Sequence, residues 1–338
     1  MRSNLLEFTD KGIYCSIGKF YIDPWHPVDK AIITHAHSDH ARRGSKYYLC
    51  HHFTKPLLKT RLGEDIVVES VNYLETVFIN NVKVSFHPAG HIVGSAQIRL
   101  EYNGDIWVVS GDYKTEDDNV STPFEVVKCN TFITESTFGM PVYQWQPQEK
   151  IFNEINSWWA SNRGFKSSVI FAYSLGKAQR IIKNVDPTIG PIYVHGAIAS
   201  MNDAMAPFIN LTPTYKAAYQ GKEEFFKSLI IAPPSALNSP WMKRFFPFST
   251  AYASGWMALR GAKRRGAVDR GFTLSDHADW PSLNKVVAET GAETIYVTHG
   301  YKSAFSRWLR ENGKKAYEVE TLFEGEVAES LENLEGNY

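Results

Sequence analysis

The sequence predicts a sheet-rich α/β protein, and three observations carry that expectation. Between residues 12 and 135, short apolar stretches recur between Gly, Asn and Pro turns, which is the pattern of successive strands. From about residue 144 the rhythm changes to strands alternating with helical segments, as in a parallel α/β layer. From 272 onward the chain returns to short strands, each followed by polar residues and then a helix.

The elements follow in order. Val82 to Phe86 alternates apolar and polar, as does Ala96 to Tyr102, and Asn103-Gly104 turns the chain into Ile106 to Val109, a strong hairpin signal. Thr131 to Thr134 reads as a buried strand. A helix is expected from Pro147 to about Ser161, then a strand over Ser168 to Tyr173 and a helix from Gly176 through Ile181. Strand Ile192 to Val194 precedes a helix expected over Met201 to Phe208. Pro233, Pro234, Pro240 and Pro247 break any long element between 232 and 250. Strand Phe272 to Leu274, a helix from Pro281, strand Thr294 to Val297 and a helix from Ser303 complete the pattern.

Composition narrows the function classes. The 338 residues are 43% hydrophobic, enough for a large core, and their formal net charge is zero. No global field therefore draws the chain to nucleic acid, so any such binding must come from local patches. Cys15, Cys50 and Cys129 are odd in number and widely spaced, which argues for a reducing compartment. The start lacks an apolar signal core and no run of eighteen apolar residues occurs, so a soluble, cytoplasmic protein without membrane partners is expected.

The stretch Thr34-His35-Ala36-His37-Ser38-Asp39-His40 concentrates the chemistry, directly after the run Val28 to Ile33. In an extended segment residues i and i+2 face the same way, so His35 and His37 can reach one metal ion together. Asp39 and His40 follow the turn and can hold a second ion at the roughly 3.5–4 Å spacing of two-metal hydrolytic sites. Glu135, Ser275-Asp276-His277 and Thr298-His299 each follow a predicted strand as well. Side chains at the carboxyl ends of neighbouring strands converge on one crevice. His51-His52 is the competing ligand pair.

The Thr34 to His40 stretch resembles the HxHxDH signature of the metallo-β-lactamase superfamily. Asp23 ends a short strand where that superfamily carries a buried Asp. His91 in Pro88-Ala89-Gly90-His91 and Asp112 in Ser110-Gly111-Asp112 look like its third and fourth motifs. Glu135 in Glu135-Ser136-Thr137-Phe138-Gly139, with His277 and His299, resembles the three motifs of the β-CASP nucleases, a branch acting on DNA or RNA. The resemblance implies an αββα sandwich built from residues 1–143 and 272–338, with an inserted β-CASP α/β domain at 144–271. Tyr21 to Trp25, Ser254 to Gly261 and Leu274 to Asp279 are similar to segments of the bacterial ligase-associated DNA damage response exonucleases.

Carried over position by position, the resemblance implies that His35, His37, His91 and Asp112 hold one divalent ion. Asp39, His40, His299 and again Asp112 would hold the other. This donor set suits Zn²⁺ and admits Mn²⁺. A hydroxide between the ions would attack phosphorus, and the ions would neutralise phosphate charge. His277 is the proposed donor to the leaving oxygen. Glu135 would orient His277, and Asp23 would orient a ligand histidine. Arg260, Lys263, Arg264, Arg265 and Arg270 against the single acid Asp269 suggest phosphate contacts, with Trp256 placed to stack on a base.

The expected activity is a DNA repair exonuclease, 5′ to 3′ by resemblance, working beside a ligase and a helicase. An RNA-processing nuclease of the same fold is the alternative. The few residues beyond Glu320 leave no room for the extra C-terminal domain of the larger RNA exonucleases, which favours DNA. A small-molecule hydrolase and a non-catalytic nucleic-acid-binding subunit are weaker readings. The acidic stretch with Glu324, Glu326, Glu329, Glu332 and Glu335 reads as a solvated tail or short amphipathic helix.

Overall fold

The computed structural model describes residues 4–217, 221–259 and 268–320. Arg260, Lys263, Arg264, Arg265 and the acidic stretch from Glu324 to Glu335 lie outside the described residues. The chain divides into two compact units. Among the described residues, one takes in 4–117, Ser121–Gln144 and 277–320; the other takes Trp145–Asp276 with Asp118–Val120.

The first unit holds two sheets. One runs β1 (Glu7–Thr9), β2 (Gly12–Cys15), β3 (Phe20–Ile22), β4 (Lys30–Ile32), β5 (Tyr47–His51) and β6 (Val68–Val71), side by side in sequence order. The other contains β7 (Thr76–Ile79), β8 (Val82–Pro88), β9 (Ala96–Tyr102), β10 (Asp105–Val109), β11 (Thr131–Glu135), β18 (Thr294–Thr298) and β19 (Lys315–Glu318). Its order is β19-β18-β11-β10-β9-β8-β7. Period-2 alternation explains how these layers stack. Trp107, Val109 and Ile133 face a core shared with Ile13, Phe20, Ile22 and Ile32 of the first sheet. Their neighbours Val108 and Phe132, with Ile295 and Val297, face the other way. That outer face is covered by Leu283, Val286 and Val287 of α6 (Trp280–Thr290) and Phe305 and Leu309 of α7 (Lys302–Glu311). Helix α1 (Thr54–Leu62) packs on β5 and β6.

The second unit is a parallel sheet of β12 (Ser167–Phe171), β13 (Ile192–Val194), β14 (Tyr215–Lys216), β15 (Leu229–Ala232), β16 (Phe248–Ala253) and β17 (Arg270–Phe272), ordered β14-β13-β15-β12-β16-β17. Helices α2 (Gln148–Asn162), α3 (Lys177–Asn184) and α4 (Gly196–Met205) share one apolar core with Ile170, Ile231 and Ala251. Val169, Phe171 and Ile230 face a second core with Met242 and Phe245 of a 3₁₀ turn (Pro240–Phe245) and Phe225 of α5 (Lys222–Phe225). With both faces covered, β12, β15 and nearly all of β16 are buried along their length rather than alternating.

Two expectations are corrected here. The helix expected over Met201 to Phe208 is α4, which starts earlier because His195 caps it: its ring nitrogen accepts from the Ala197 amide at 3.2 Å. The strand expected over Phe272 to Leu274 lies earlier, over Arg270–Phe272, paired with Ala251 to Ala253. The Pro-broken stretch from 232 to 250 holds the 3₁₀ turns Pro234–Ala236 and Pro240–Phe245 and the start of β16. No described helix is long and apolar enough to cross a membrane. Cys15, Cys50 and Cys129 are free thiols, and burial pushes that of Cys129 up to about 12.

Candidate metal centre

Sheet direction gathers the site. Strands β3, β4 and β5 are parallel, so Asp23 and the Thr34 to His40 loop leave β3 and β4 at the same edge. In the other sheet β10, β11 and β18 are parallel, so Asp112, Glu135 and His299 emerge together just after or at their carboxyl ends. β8 is antiparallel to β9, which is antiparallel to β10, so β8 also delivers its end, and with it His91, to that edge. Two glycines permit the close approach. A Cβ on Gly111 (φ +56°) would lie 2.7 Å from the Thr34 side chain. A Cβ on Gly300 (φ +65°) would lie 2.4 Å from the Thr137 Cα.

The structure brings His35, His37, His91 and Asp112 together, with one ligand atom of each within 4.8 Å of the others, and Asp39, His40 and His299 likewise. Asp112 Oδ2 faces both groups: it lies 3.5 Å from His35 Nε2, 3.8 Å from His91 Nε2 and 3.3 Å from His40 Nε2. His37 Nδ1 stands 3.0 Å from His91 Nε2. Two ligands each about 2.1 Å from one ion at a tetrahedral angle lie about 3.4 Å apart, so these separations suit a shared cation. His35 Nε2, His40 Nε2, Asp112 Oδ1 and His299 Nδ1 are buried and make no hydrogen bond. Buried polar atoms without partners are costly, and a cation answers all four. The donor set of imidazole and carboxylate fits Zn²⁺ or Mn²⁺. A cavity of about 30 Å³, lined by Asp23, Asp39, His40 and His299 among others, leaves room there for an ion or a water.

The far sides of the rings are held. Asp23 (φ +44°) lies 2.7 Å from His40 Nδ1 and accepts from the Thr34 amide at 2.8 Å and its hydroxyl at 2.5 Å. Thr34 Oγ1 also sits 3.0 Å from His35 Nδ1. Both rings therefore turn their Nε2 atoms to the centre, the arrangement by which outer partners fix ligand orientation. The Ser95 hydroxyl accepts from the His91 amide at 3.1 Å, and Arg61 donates to the Ala36 carbonyl between the two first histidines. Glu135 lies 2.8 Å from His277 Nδ1 and accepts from the Tyr113 amide at 2.7 Å. The Ala278 amide donates to Tyr113 O at 2.7 Å, pinning His277 to the same strand end, and Asp279 caps the helix that follows.

Electrostatics follow from burial and crowding. Burial alone favours neutral Asp112, but the charges of the His40 and His277 rings hold its carboxyl well below the usual range. Burial lowers His40, yet the carboxylates of Asp112, Asp39 and Asp23 outweigh it and raise that ring well above its ordinary value. Burial, then the charge of His40, holds His35 well below.

Three other expected positions have surroundings of their own. His51 stacks on Tyr73 at 3.6 Å between ring centroids and accepts from the Phe53 amide, so it forms no ligand pair with His52. Trp256 is half-buried in the 3₁₀ turn Gly255–Ala258. Arg270 is exposed on β17, while Asp269 accepts from Ser249 and Thr250. Thr34, Arg61, Ser95 and Tyr113 were missed, because nothing in their types or spacing sets them apart from ordinary loop and strand residues.

No family model matches this chain. It is 28% identical over 316 residues to a probable DNA ligase of Opitutus terrae, covering 91% of this chain and 30% of that protein. It is 30% identical over 226 residues to an RNase J-like protein of Methanocaldococcus jannaschii, covering 56% of this chain and 52% of that one. An endoribonuclease YSH1 of Saccharomyces cerevisiae is 32% identical over 132 residues, 36% of this chain and 17% of its own length. The chain thus spans about half or less of these relatives. A solved structure of a protein of unknown function from Enterococcus faecalis V583 shares the fold, with TM-score 0.57 and 11% identity over 86% of this chain and 79% of that one. Two of these relatives are named as ribonucleases and one as a DNA ligase.

Proposed function

We propose that this chain is a metal-dependent phosphodiesterase that degrades DNA from an end, with two divalent ions, Zn²⁺ or Mn²⁺, at the centre. One observation carries the reading: two His/Asp groups meet at Asp112, and a Glu135–His277 pair lies within 4.8 Å of that same carboxylate. A hydrolase of one small ester has no need of the second pair. A phosphodiester has a poor leaving oxygen that must be protonated as it departs.

In this reading His35, His37, His91 and Asp112 hold one ion, and Asp39, His40, His299 and Asp112 the other. Ions bound there supply Lewis acidity, an activated water and charge neutralisation at phosphate. Asp23 and Thr34 keep His40 and His35 in the ligating orientation. Glu135 holds the Nδ1 proton of His277, fixes the ring and stabilises its doubly protonated form, whose Nε2 proton would go to the leaving sugar oxygen. Residues 144–271 are read as the inserted β-CASP domain, and Trp256 with Arg260, Lys263, Arg264 and Arg265 as contacts to the strand.

The DNA reading is supported by the Opitutus relative, which is named for DNA joining and matches most of this chain. A role beside a ligase in DNA repair, with 5′ to 3′ digestion, is part of this reading and comes from the resemblance to the ligase-associated exonucleases alone. RNA cleavage is the second reading, favoured by the relatives named RNase J-like and endoribonuclease. Matched single-stranded DNA and RNA oligonucleotides, labelled at either end, decide between them. A ladder from DNA with RNA spared, lost in Asp112→Ala, is expected. Equal or faster RNA cleavage removes the DNA assignment, and wild-type rates in Asp112→Ala remove the metal centre.

A further inference from the structure

Trp25 has no part in the chemistry so far, yet it lines the cavity that holds Asp39, His40 and His299. It also lines a second, open cavity of about 570 Å³ in the same unit. Its backbone is fixed, the amide donating to Lys11 O at 2.9 Å. The indole is half-buried and, among the described residues, makes no ring contact and no hydrogen bond. The other apolar walls are Phe8 and Val319, and the polar ones include Asp10, Glu318 and Glu320. Glu318 already accepts from Ser303 and Ser306, which leaves Asp10 and Glu320 as acceptors.

From this we infer that the second cavity binds a nucleobase: that of the nucleotide flanking the cleaved phosphate, stacked on Trp25. The inference rests on the nucleic-acid reading above. The shared wall puts whatever lies on the indole beside the metal centre. An aromatic face without an intramolecular partner stacks on any base. Carboxylate walls repel a phosphate and accept from a base that carries an exocyclic amine, so adenine, cytosine or guanine is favoured there over thymine.

Two measurements on wild type, Trp25→Ala and Trp25→Phe test this. The first is saturation-transfer NMR with metal-free protein in chelator, using deoxycytidine and deoxyadenosine as probes. Signal on base protons, kept in the Phe variant and lost in the Ala variant, is expected. The second is cleavage of end-labelled single-stranded DNA with one abasic position moved along the strand. The wild-type rate should fall about tenfold when the missing base flanks the cleaved bond, and this penalty should vanish in Trp25→Ala. An equal abasic penalty in both proteins, or no base signal in the wild type, overturns the inference. If the wild type cleaves no nucleic acid but the base signal depends on Trp25, the function reading falls and the cavity assignment stands. Should Trp25→Ala fail to fold, Trp25→Phe against Trp25→Leu makes the same comparison.

Discussion

Asp23→Asn isolates how the protein prepares its ligands. The Asp23 backbone sits at φ +44°, a conformation asparagine adopts readily, so the main chain is undisturbed. The amide oxygen can still accept from the Thr34 N–H, now 2.8 Å from the carboxylate. The amide nitrogen, however, then meets His40 Nδ1, which lies 2.7 Å from Asp23 Oδ2. Two donors face each other, and His40 must shed its Nδ1 proton or turn Nε2 away from the centre. Losing such an outer partner weakens metal binding about 10–100-fold, which is about 1.4–2.7 kcal/mol. Competition of stripped protein against a chromophoric zinc chelator reads that difference directly. Equal affinity in wild type and Asp23→Asn would refute the claim that Asp23 orients a ligand.

Glu135→Gln and His277→Gln should slow DNA cleavage about 10²–10⁴-fold. The loss should be much smaller for a p-nitrophenyl phosphodiester, whose leaving group needs no proton, and a uniform loss on both substrates would remove His277 as the donor. Stability should fall as pH drops from 6.5 towards 4 in part through His51, which burial first, and the charge of His52 second, push down to about 4. The unfolded chain binds this proton at higher pH than the folded one, so the contribution is complete above 6.5 and lost below it. Denaturant midpoints of His51→Phe, which keeps a ring against Tyr73, should show a shallower slope over that window; an unchanged slope would exclude His51. Gly300→Ala should cost more than about 1 kcal/mol, since it adds a Cβ at positive φ only 2.4 Å from backbone. Urea unfolding at wild-type midpoint would contradict this.

The sequence showed parts of this molecule unevenly, for physical reasons. Alternation marked the meander from Val82 to Val109 because each strand there has neighbours of two kinds on its two faces. Leu229–Ala232 and Phe248–Ala253 carry no such mark: both lie in a sheet covered on both sides, and β16 mixes Ser249 and Thr250 with Phe248 and Tyr252 at the end of a Pro-rich stretch. The ligand loop was legible because His35, His37, Asp39 and His40 fall within six residues. His299 is far away in sequence and reaches the site through the parallel pairing of Glu135 with Thr298, a register that no local pattern reveals. Thr34 and Trp25 escaped for a related reason, since their roles depend on which way a side chain points after the sheets have packed.

The central claim is a two-ion centre that cleaves nucleic acid. Stripped protein titrated with Zn²⁺ or Mn²⁺, with bound metal and DNA cleavage followed in the same samples, tests it most directly. Cleavage should be absent at the start, rise with metal and level off at two equivalents per chain. Cleavage by the metal-free protein, or full activity at a single equivalent, would contradict it.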